Sequence, residues 1–425
     1  MSSNIKHKWA FSPRFRRGSF GWRSQPAITR VKEAVSEIKK AASRDPKLGG
    51  EGAVVFLEKV SGALQNIDSS SGAIGSAVNW AIESLVPVIT KAPADDPLRE
   101  KWLERLWSAV ETDDIPYIES LADYWGELCA TPECASRWAD RFIEIVRMVW
   151  GPGRKLSGYF KGIPACLSSL FEAGRHDEIL DLLKQAPYSS WDQRVWGVKA
   201  LLATGKRSEA LSFAEESRGL NQPDYLISEA CEDILLASGM AEEAYYRYAF
   251  AANSKTTYLA TFRAIVKKYP HKEPAAILND LVADSPGGEG KWFAAAKSAG
   301  LYDEAISLAN RSPCDPGTLM RAARDMCEKR PLFAKDAGIA ALRWLAAGYG
   351  YEITAYDVEE AFDHTVKAAE NAGCLQKTIE MIRKIAAPES SCGNSVSGIL
   401  MRKLERIETR DVQKRTLRCQ TCPID

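Results

Sequence analysis

Four places in the sequence gather side chains that could do chemistry. Cys419 and Cys422 form the pair CQTC. A redox dithiol needs such a pair at a helix start that follows a strand, and zinc would need two more ligands; Cys129, Cys134 and Cys392 do not supply a half-site at the right spacing. His364 follows Glu360 by four residues and Asp357 by seven, so a helix would carry all three on one face. That is enough for an acid–base pair or a weak metal site, and it is also ordinary decoration of a solvated helix. Glu111, Asp113, Asp114 and Glu119 crowd four carboxylates without the ordered oxygen spacing of an EF-hand, and are expected to cap and solvate helix ends. The stretch NIDSSSGAIG, residues 66–75, could hold a phosphate on free helix amides. It lacks the GxxxxGK[ST] order and the lysine of a P-loop, and capping of the next helix by Asp68 or by Ser69–Ser71 is the expectation.

A fifth stretch, KHKWAFSPRFRRGSFGWRSQPAITR, interleaves Arg14, Arg16, Arg17 and Arg23 with Trp9, Phe11, Phe15, Phe20 and Trp22. Guanidinium groups neutralise phosphates while aromatic rings stack on unpaired bases, so Arg14, Arg16, Arg17, Trp22 and Arg23 are the candidate anion or nucleic-acid site. The same residues would equally let the arm fold back over its own chain with the aromatics as anchors. Residues 1–32 carry eight Lys or Arg and no acid, whereas the whole chain has 56 basic and 56 acidic residues. The rest of the sequence is therefore net negative, which favours the folded-back arm. A nucleic-acid surface would need the arm joined to further cations such as Arg402, Lys403, Arg406, Lys414, Arg415 and Arg418.

The elements that must position these residues are helical and recur. The phrases AGRHDEILDLL (173–183), TGKRSEALSFA (204–214), SGMAEEAYYRY (238–248) and AGLYDEAISLAN (299–310) share a small residue and glycine, then acids, then an apolar stripe. AGCLQKTIEMI (372–382) is a weaker echo. Gly174, Gly205 and Gly239 are 31 and 34 residues apart, and the later intervals are near two such periods, the spacing of a helix–turn–helix repeat. Glycine after a helix enters the left-handed region without steric cost, and the acids then meet the positive end of the second helix. The pattern predicts pairs at 159–172 with 176–185, 191–203 with 206–216, 223–237 with 240–249, 255–268 with 274–283, and 289–298 with 302–310. Further helices are predicted over 316–329, 332–346, 354–371, 375–386 and 396–411. Thr354 and Asp357 have the spacing of a capping box. Before the repeats, helices are expected from residue 28, over 52–65 and over 73–91, the last kinked or ended early by Pro87. An aromatic helix is expected around Tyr117–Leu128, and GPGRKLSGYFKG (151–162) reads as a hinge.

Stacked pairs leave one face lined by the first helix of each pair, to which Tyr188, Trp191, Trp196, Tyr225, Tyr258 and Trp292 could contribute. Ten cysteines without dense pairing suggest reduced, buried thiols in the cytosol, and histidines stand only at 7, 176, 271 and 364. No apolar run approaches the roughly 20 residues that cross a bilayer, and the basic start lacks a secretory apolar core. No dinucleotide fingerprint, metalloprotease helix, kinase set or GxSxG elbow is present.

Several segments carry a family likeness: IDSSSGAIG, WLERLW, YWGELC and SPGGEGKWFAAAKSAGLYDEAISLANRSPCDPGTL. Together they resemble an uncharacterised family of bacterial helical-repeat proteins, similar to repeat regions attached to SWIM-type zinc-finger proteins. The resemblance covers most of residues 28–385. It implies an all-helical repeat fold and no reaction, and the CxCx(n)CxH ligand order of a SWIM finger is absent here.

The sequence thus predicts an all-α chain: a TPR-like or HEAT-like helical-pair solenoid with an N-terminal helical lobe and a basic arm. The expected divisions are a basic aromatic arm (1–27), an N-terminal helical domain (28–150), a linker (151–158), the solenoid (159–350), a C-terminal helical cap (351–411) and a tail (412–425). The expected function is a cytoplasmic protein-interaction scaffold that docks a protein or peptide on Trp191, Tyr225, Tyr258 and Trp292, the candidates for exposed anchors. Nucleic-acid binding by the arm is the alternative, and an enzyme with a pocket between lobes is a third. No catalytic residue, metal, cofactor or membrane partner is assigned.

Overall fold

A computed structural model describes residues 7–151, 160–187, 190–387 and 395–420, except the side chains of residue 395 and of residues 410–420. Among the described residues every regular element is a helix, and the chain divides into two compact units, residues 1–238 and 239–425. The linker expected at 151–158 lies, apart from Gly151, outside the described residues. The helices on either side of it pack directly on each other, and the two units divide between Ser238 and Gly239.

The first unit contains α1 (Ser24–Ala42), α2 (Pro46–Leu64), α3 (Ala73–Thr90), α4 (Asp96–Glu111), α5 (Trp125–Cys129), α6 (Pro132–Trp150), α7 (Gly162–Glu172), α8 (His176–Gln185), α9 (Trp191–Ala203), α10 (Arg207–Glu215) and α11 (Asp224–Ala237). Helices α1, α2 and α3 pack mutually. From α5 onward each helix meets its successor, and alternate helices also touch: α5 with α7, α6 with α8, α7 with α9. Apolar positions of α1 to α9 join one core that includes Trp102, Trp125, Trp138 and Phe142. Trp125 lies edge-on to Trp107 and Trp138, with ring centroids 5.4 and 5.2 Å away, so the tryptophans of this segment are packing material.

Helix α2 begins six residues before its expected start. Asp45 caps it, accepting from the Leu48 amide at 3.0 Å, and Pro46 occupies the first turn. Gly49, Gly50 and Gly52 hide this start from helix propensity because they serve packing. A β-carbon on Gly52 would overlap the Trp9 ring, and one on Gly50 would overlap Trp102 and Ala92. Helix α3 is the one described helix long and apolar enough to cross a membrane by length and composition, and eight of its residues are buried within the first unit. It keeps its course through Pro87 to Thr90. Its N-cap is Gly72, in the left-handed region; Ser71 Oγ accepts from the Ala73 amide at 3.4 Å, and Asp68 does not reach the helix. Asp68 instead closes a turn on the Ser70 amide, 2.9 Å away, which holds its carboxyl below the usual range.

The second unit contains α12 (Ala241–Ala252), α13 (Tyr258–Lys268), α14 (Pro274–Ala283), α15 (Phe293–Ser298), α16 (Tyr302–Arg311), α17 (Pro316–Met326), α18 (Pro331–Ala346), α19 (Ala355–Asn371), α20 (Leu375–Ala386) and α21 (Ser395–Gln420). The same two-step contacts recur, α13 with α15, α16 with α18, α17 with α19, and α18 with α20. Helix α21 continues to Gln420, past the boundary expected at 411.

Two devices repeat across the units. Gly174, Gly205, Gly300 and Gly373 have φ between 66° and 78°, and the next residue's amide returns to the carbonyl five positions back, at 2.9 to 3.0 Å. That is the Schellman closure of a helix. Gly348, after α18, makes the same lock. In the second device a 3₁₀ turn leads into a short helix: Glu119–Tyr124 into α5, and Glu289–Trp292 into α15. The Gly126 amide donates to Ser168 Oγ at 3.0 Å, and the Gly290 amide to Ser312 Oγ at 2.8 Å. Each glycine presses against the carbonyl of that same serine, so tight approach replaces the uniform helices expected there.

Candidate functional site

The arm is anchored. Trp9, Phe11 and Phe15 belong to the core of the first unit, Phe11 and Phe15 standing edge-on to Phe56 at 5.8 and 5.1 Å. The Ala10 and Phe11 amides donate to the Glu37 carboxylate at 2.7 and 3.1 Å. Arg14 pairs with Glu33 at 3.1 Å, and Arg17 Nε donates to Gln65 Oε1 at 3.1 Å. Arg16, Trp22 and Arg23 remain exposed, Trp22 at 72 %. Of the distant cations, Lys403 pairs with Asp363 at 2.6 Å, while the side chains of Lys414, Arg415 and Arg418 lie outside the described residues.

The four aromatic candidates divide. Tyr225 and Tyr258 are exposed, at 53 and 39 %. Trp191 and Trp292, expected as exposed anchors, are buried at 4 % each. The Trp191 amide donates to Gln222 Oε1 at 2.9 Å, and Trp292 Nε1 donates to Ser285 Oγ at 2.8 Å. Large rings at helix starts fill the layer between neighbours before they reach water. Tyr258 and Trp292 are brought together, centroids 4.8 Å apart and planes at 86°. Trp196 is buried too, and Tyr188 lies outside the described residues.

The residues with chemical potential have structural partners. Asp357 and Thr354 form the expected capping box, so Asp357 is engaged at the start of α19. His364 Nε2 lies 3.3 Å from Glu360 Oε1, and Asp363 is the partner of Lys403. Asp113 is buried and accepts from Ser61 Oγ and from the Ile118 amide; burial is the first cause pushing its carboxyl above the usual range. Cys422 and the Cys419 side chain lie outside the described residues. The seven described cysteines are thiols, six of them buried.

What sequence inspection missed is a segregation of charge in the first unit. One side is laced by arginine. Arg105 holds Glu51 and Glu58 at 2.7 and 2.6 Å, tying α4 to α2. Arg141 holds Glu104 at 2.6 Å, tying α6 to α4. Arg175 holds Asp140 and Glu178, both at 2.6 Å, tying α6 to the start of α8. The other side, from α3 across α5 to α7 and α9, carries Glu83, Asp123, Glu127, Glu172 and Asp192. All five residues reach the surface, Asp123 with its carboxyl walled in by protein, and none of the five carboxylates has an ion-pair or hydrogen-bond partner among the described residues.

Their surroundings alter their chemistry. Protein walls around Asp123, then Asp192 nearby, raise its carboxyl to about 6, with Lys199 acting against them. Gly126 lets α5 and α7 approach until Glu127 faces Glu172, whose carboxyl is raised by burial first and by Glu127 second. Burial lifts the Tyr124 phenol, helped by Glu83, Asp123 and Glu127. Lys199 stands among Glu127, Asp123 and Glu172 with Nζ 4.0 Å over the Trp196 ring; partial burial lowers its affinity for the proton and the carboxylates oppose that. Arginine and acid positions 35 and 37 residues apart, close to the repeat period, are the sequence signal that could have revealed the laced side.

Among the described residues, no group of three or more His, Cys, Asp or Glu is arranged to hold a metal. No family model matches the sequence, and no curated protein matches it.

Proposed function

We propose that the chain is a helical-repeat scaffold for other proteins, its helical pairs stacked within each unit in the TPR-like or HEAT-like manner. The observation that carries this reading is the contrast between the two sides of the first unit. One side spends its charges on pairs that hold α2, α4, α6 and α8 together. The other leaves five carboxylates and the half-buried Tyr124 unpaired on α3, the Glu119–Tyr124 turn, α5, α7 and α9. Repeat stacks keep the residues of one face for partners because adjacency of units already supplies stability. The buried thiols fit a reducing compartment, and the cytosol is the proposed location. Exposed Tyr225 and Tyr258 are the candidate contacts outside this face.

Recovery of the tagged full chain from its native lysate, with and without nuclease, tests the proposal. One stoichiometric protein partner that survives nuclease is expected. Loss of every partner after nuclease would overturn it in favour of nucleic-acid binding through Arg16, Trp22 and Arg23.

A further inference from the structure

The unpaired face borders an apolar groove. On α3, Trp80, Glu83, Pro87 and Val88, with Lys91 just past its end, follow one another at helical spacing on the side turned away from the core. With the end of α1 at Lys39 they line a groove of about 750 Å³. Trp80 is 41 % exposed in it, an unusual position for the largest side chain of a well-packed helix. Glu83 belongs to both features, because it lines the groove and also acts on Tyr124 together with Asp123 and Glu127.

We propose that this surface docks a lysine- and arginine-bearing segment of another protein, its apolar anchor in the Trp80 groove and its cations on the carboxylates alongside. The inference rests on the scaffold reading and adds the class of partner. Charge complementarity selects it: Asp123, Glu127 and Glu172 surround one cation, Lys199, with Asp192 and Glu83 beside them, so an acidic segment would meet repulsion on the shelf, while Lys39 and Lys91 stand at the groove itself. Lys199 shows what the shelf accepts, an ammonium group over an aromatic ring with three carboxylates around it. An apolar anchor in a pocket with charges at its rim is the usual division of labour in docking, the anchor giving affinity and the charges register. The chain's own arm is a poor occupant, since Trp9, Phe11 and Phe15 hold it in the core.

The test is fluorescence anisotropy of the full chain with a labelled peptide of about 12 residues, rich in Lys and Arg around one Trp, and with its counterpart in which every cation is Glu. The basic peptide is expected to bind with Kd on the order of 10 µM and the acidic one not to bind. Trp80→Ala, and separately Asp123→Asn with Glu127→Gln, should each weaken binding roughly tenfold. Glu104→Gln, on the laced side, should leave it unchanged. Binding of both peptides alike, no binding of the basic one, or face variants as tight as the parent would overturn the proposal. So would self-association of the chain abolished by Trp80→Ala in the absence of peptide binding, which would give the groove to a second copy. Panning an unbiased displayed library separates the two readings. Acidic or neutral winners would overturn the charge assignment and leave the scaffold standing; no winners, with no partner from lysate, would remove both.

Discussion

The Gly126 amide donates to Ser168 Oγ, and the carbonyl of that same serine occupies the space where a β-carbon on Gly126 would stand. Gly290 and Ser312 repeat the relationship in the second unit. Gly126→Ala is therefore expected to cost about 1–3 kcal/mol by overpacking, and Gly290→Ala a similar amount. Urea denaturation of each variant checks this. Because α5 and α7 must part to admit the methyl group, Gly126→Ala should also bring the Glu172 carboxyl back toward its ordinary value.

The turn glycines make a different prediction. Gly300 has φ of 78° and open space around it, so Gly300→Ala meets no neighbour but must hold a left-handed backbone. A loss of about 1 kcal/mol is expected. Gly75, inside α3 with equally open space and an ordinary φ, is the control: Gly75→Ala should stabilise by roughly 0.5–1 kcal/mol. Thermal melts of the two variants should move in opposite directions.

Arg99 is buried and spreads its guanidinium over the end of α3, donating to the carbonyls of Ile89 at 2.7 Å, Ala92 at 2.9 Å, Thr90 at 3.3 Å and Leu128 at 3.4 Å. Arg99→Leu leaves these carbonyls without their donor and is expected to cost about 3 kcal/mol. Arg99→Lys should recover less than half of that, roughly 1 kcal/mol, because one ammonium cannot span a fork-shaped set of acceptors. Chemical denaturation of both variants decides it.

Asp123 supplies a pH signature. Its carboxyl is raised to about 6, so the folded chain holds that proton more tightly than the unfolded chain does. Stability from this group is therefore fully present below about pH 4 and is lost as pH rises through 6. The groups facing it are Asp192 and Lys199 of α9 and Glu119 of its own turn, with Tyr124 and Glu127 beside it. Asp123→Asn should raise Tm by about 1–2 °C at neutral pH and by nothing near pH 4. The same variant should bind a cationic peptide less well, so stability and docking would respond in opposite senses.

Most helix boundaries were legible because amphipathic spacing and the glycine turns act locally. Helices α8, α9, α14, α18 and α20 fall within a residue of their expected limits. The misses come from residues whose role is set by a distant neighbour. Gly49, Gly50 and Gly52 look like helix breakers until Ala42, Trp102 and Trp9 are seen against them. Trp191 and Trp292 look like a docking row until both rings are seen buried, that of Trp292 with its Nε1 on Ser285. The acidic face was illegible for the same reason: its members come from α3, the turn before α5, α5 itself, α7 and α9, and only the stacking of those elements shows that arginine reaches the other side and not this one.

The seat of Trp9 on Gly52 has a consequence for how the first unit is assembled during synthesis. The wedge leaves the ribosome before its notch exists, and the two can join only once α2 has emerged. A clip or downstream start that removes residues 9–15 would leave Phe56 and the notch open to water from the first moments of folding, and nascent chains of that kind should stick to one another.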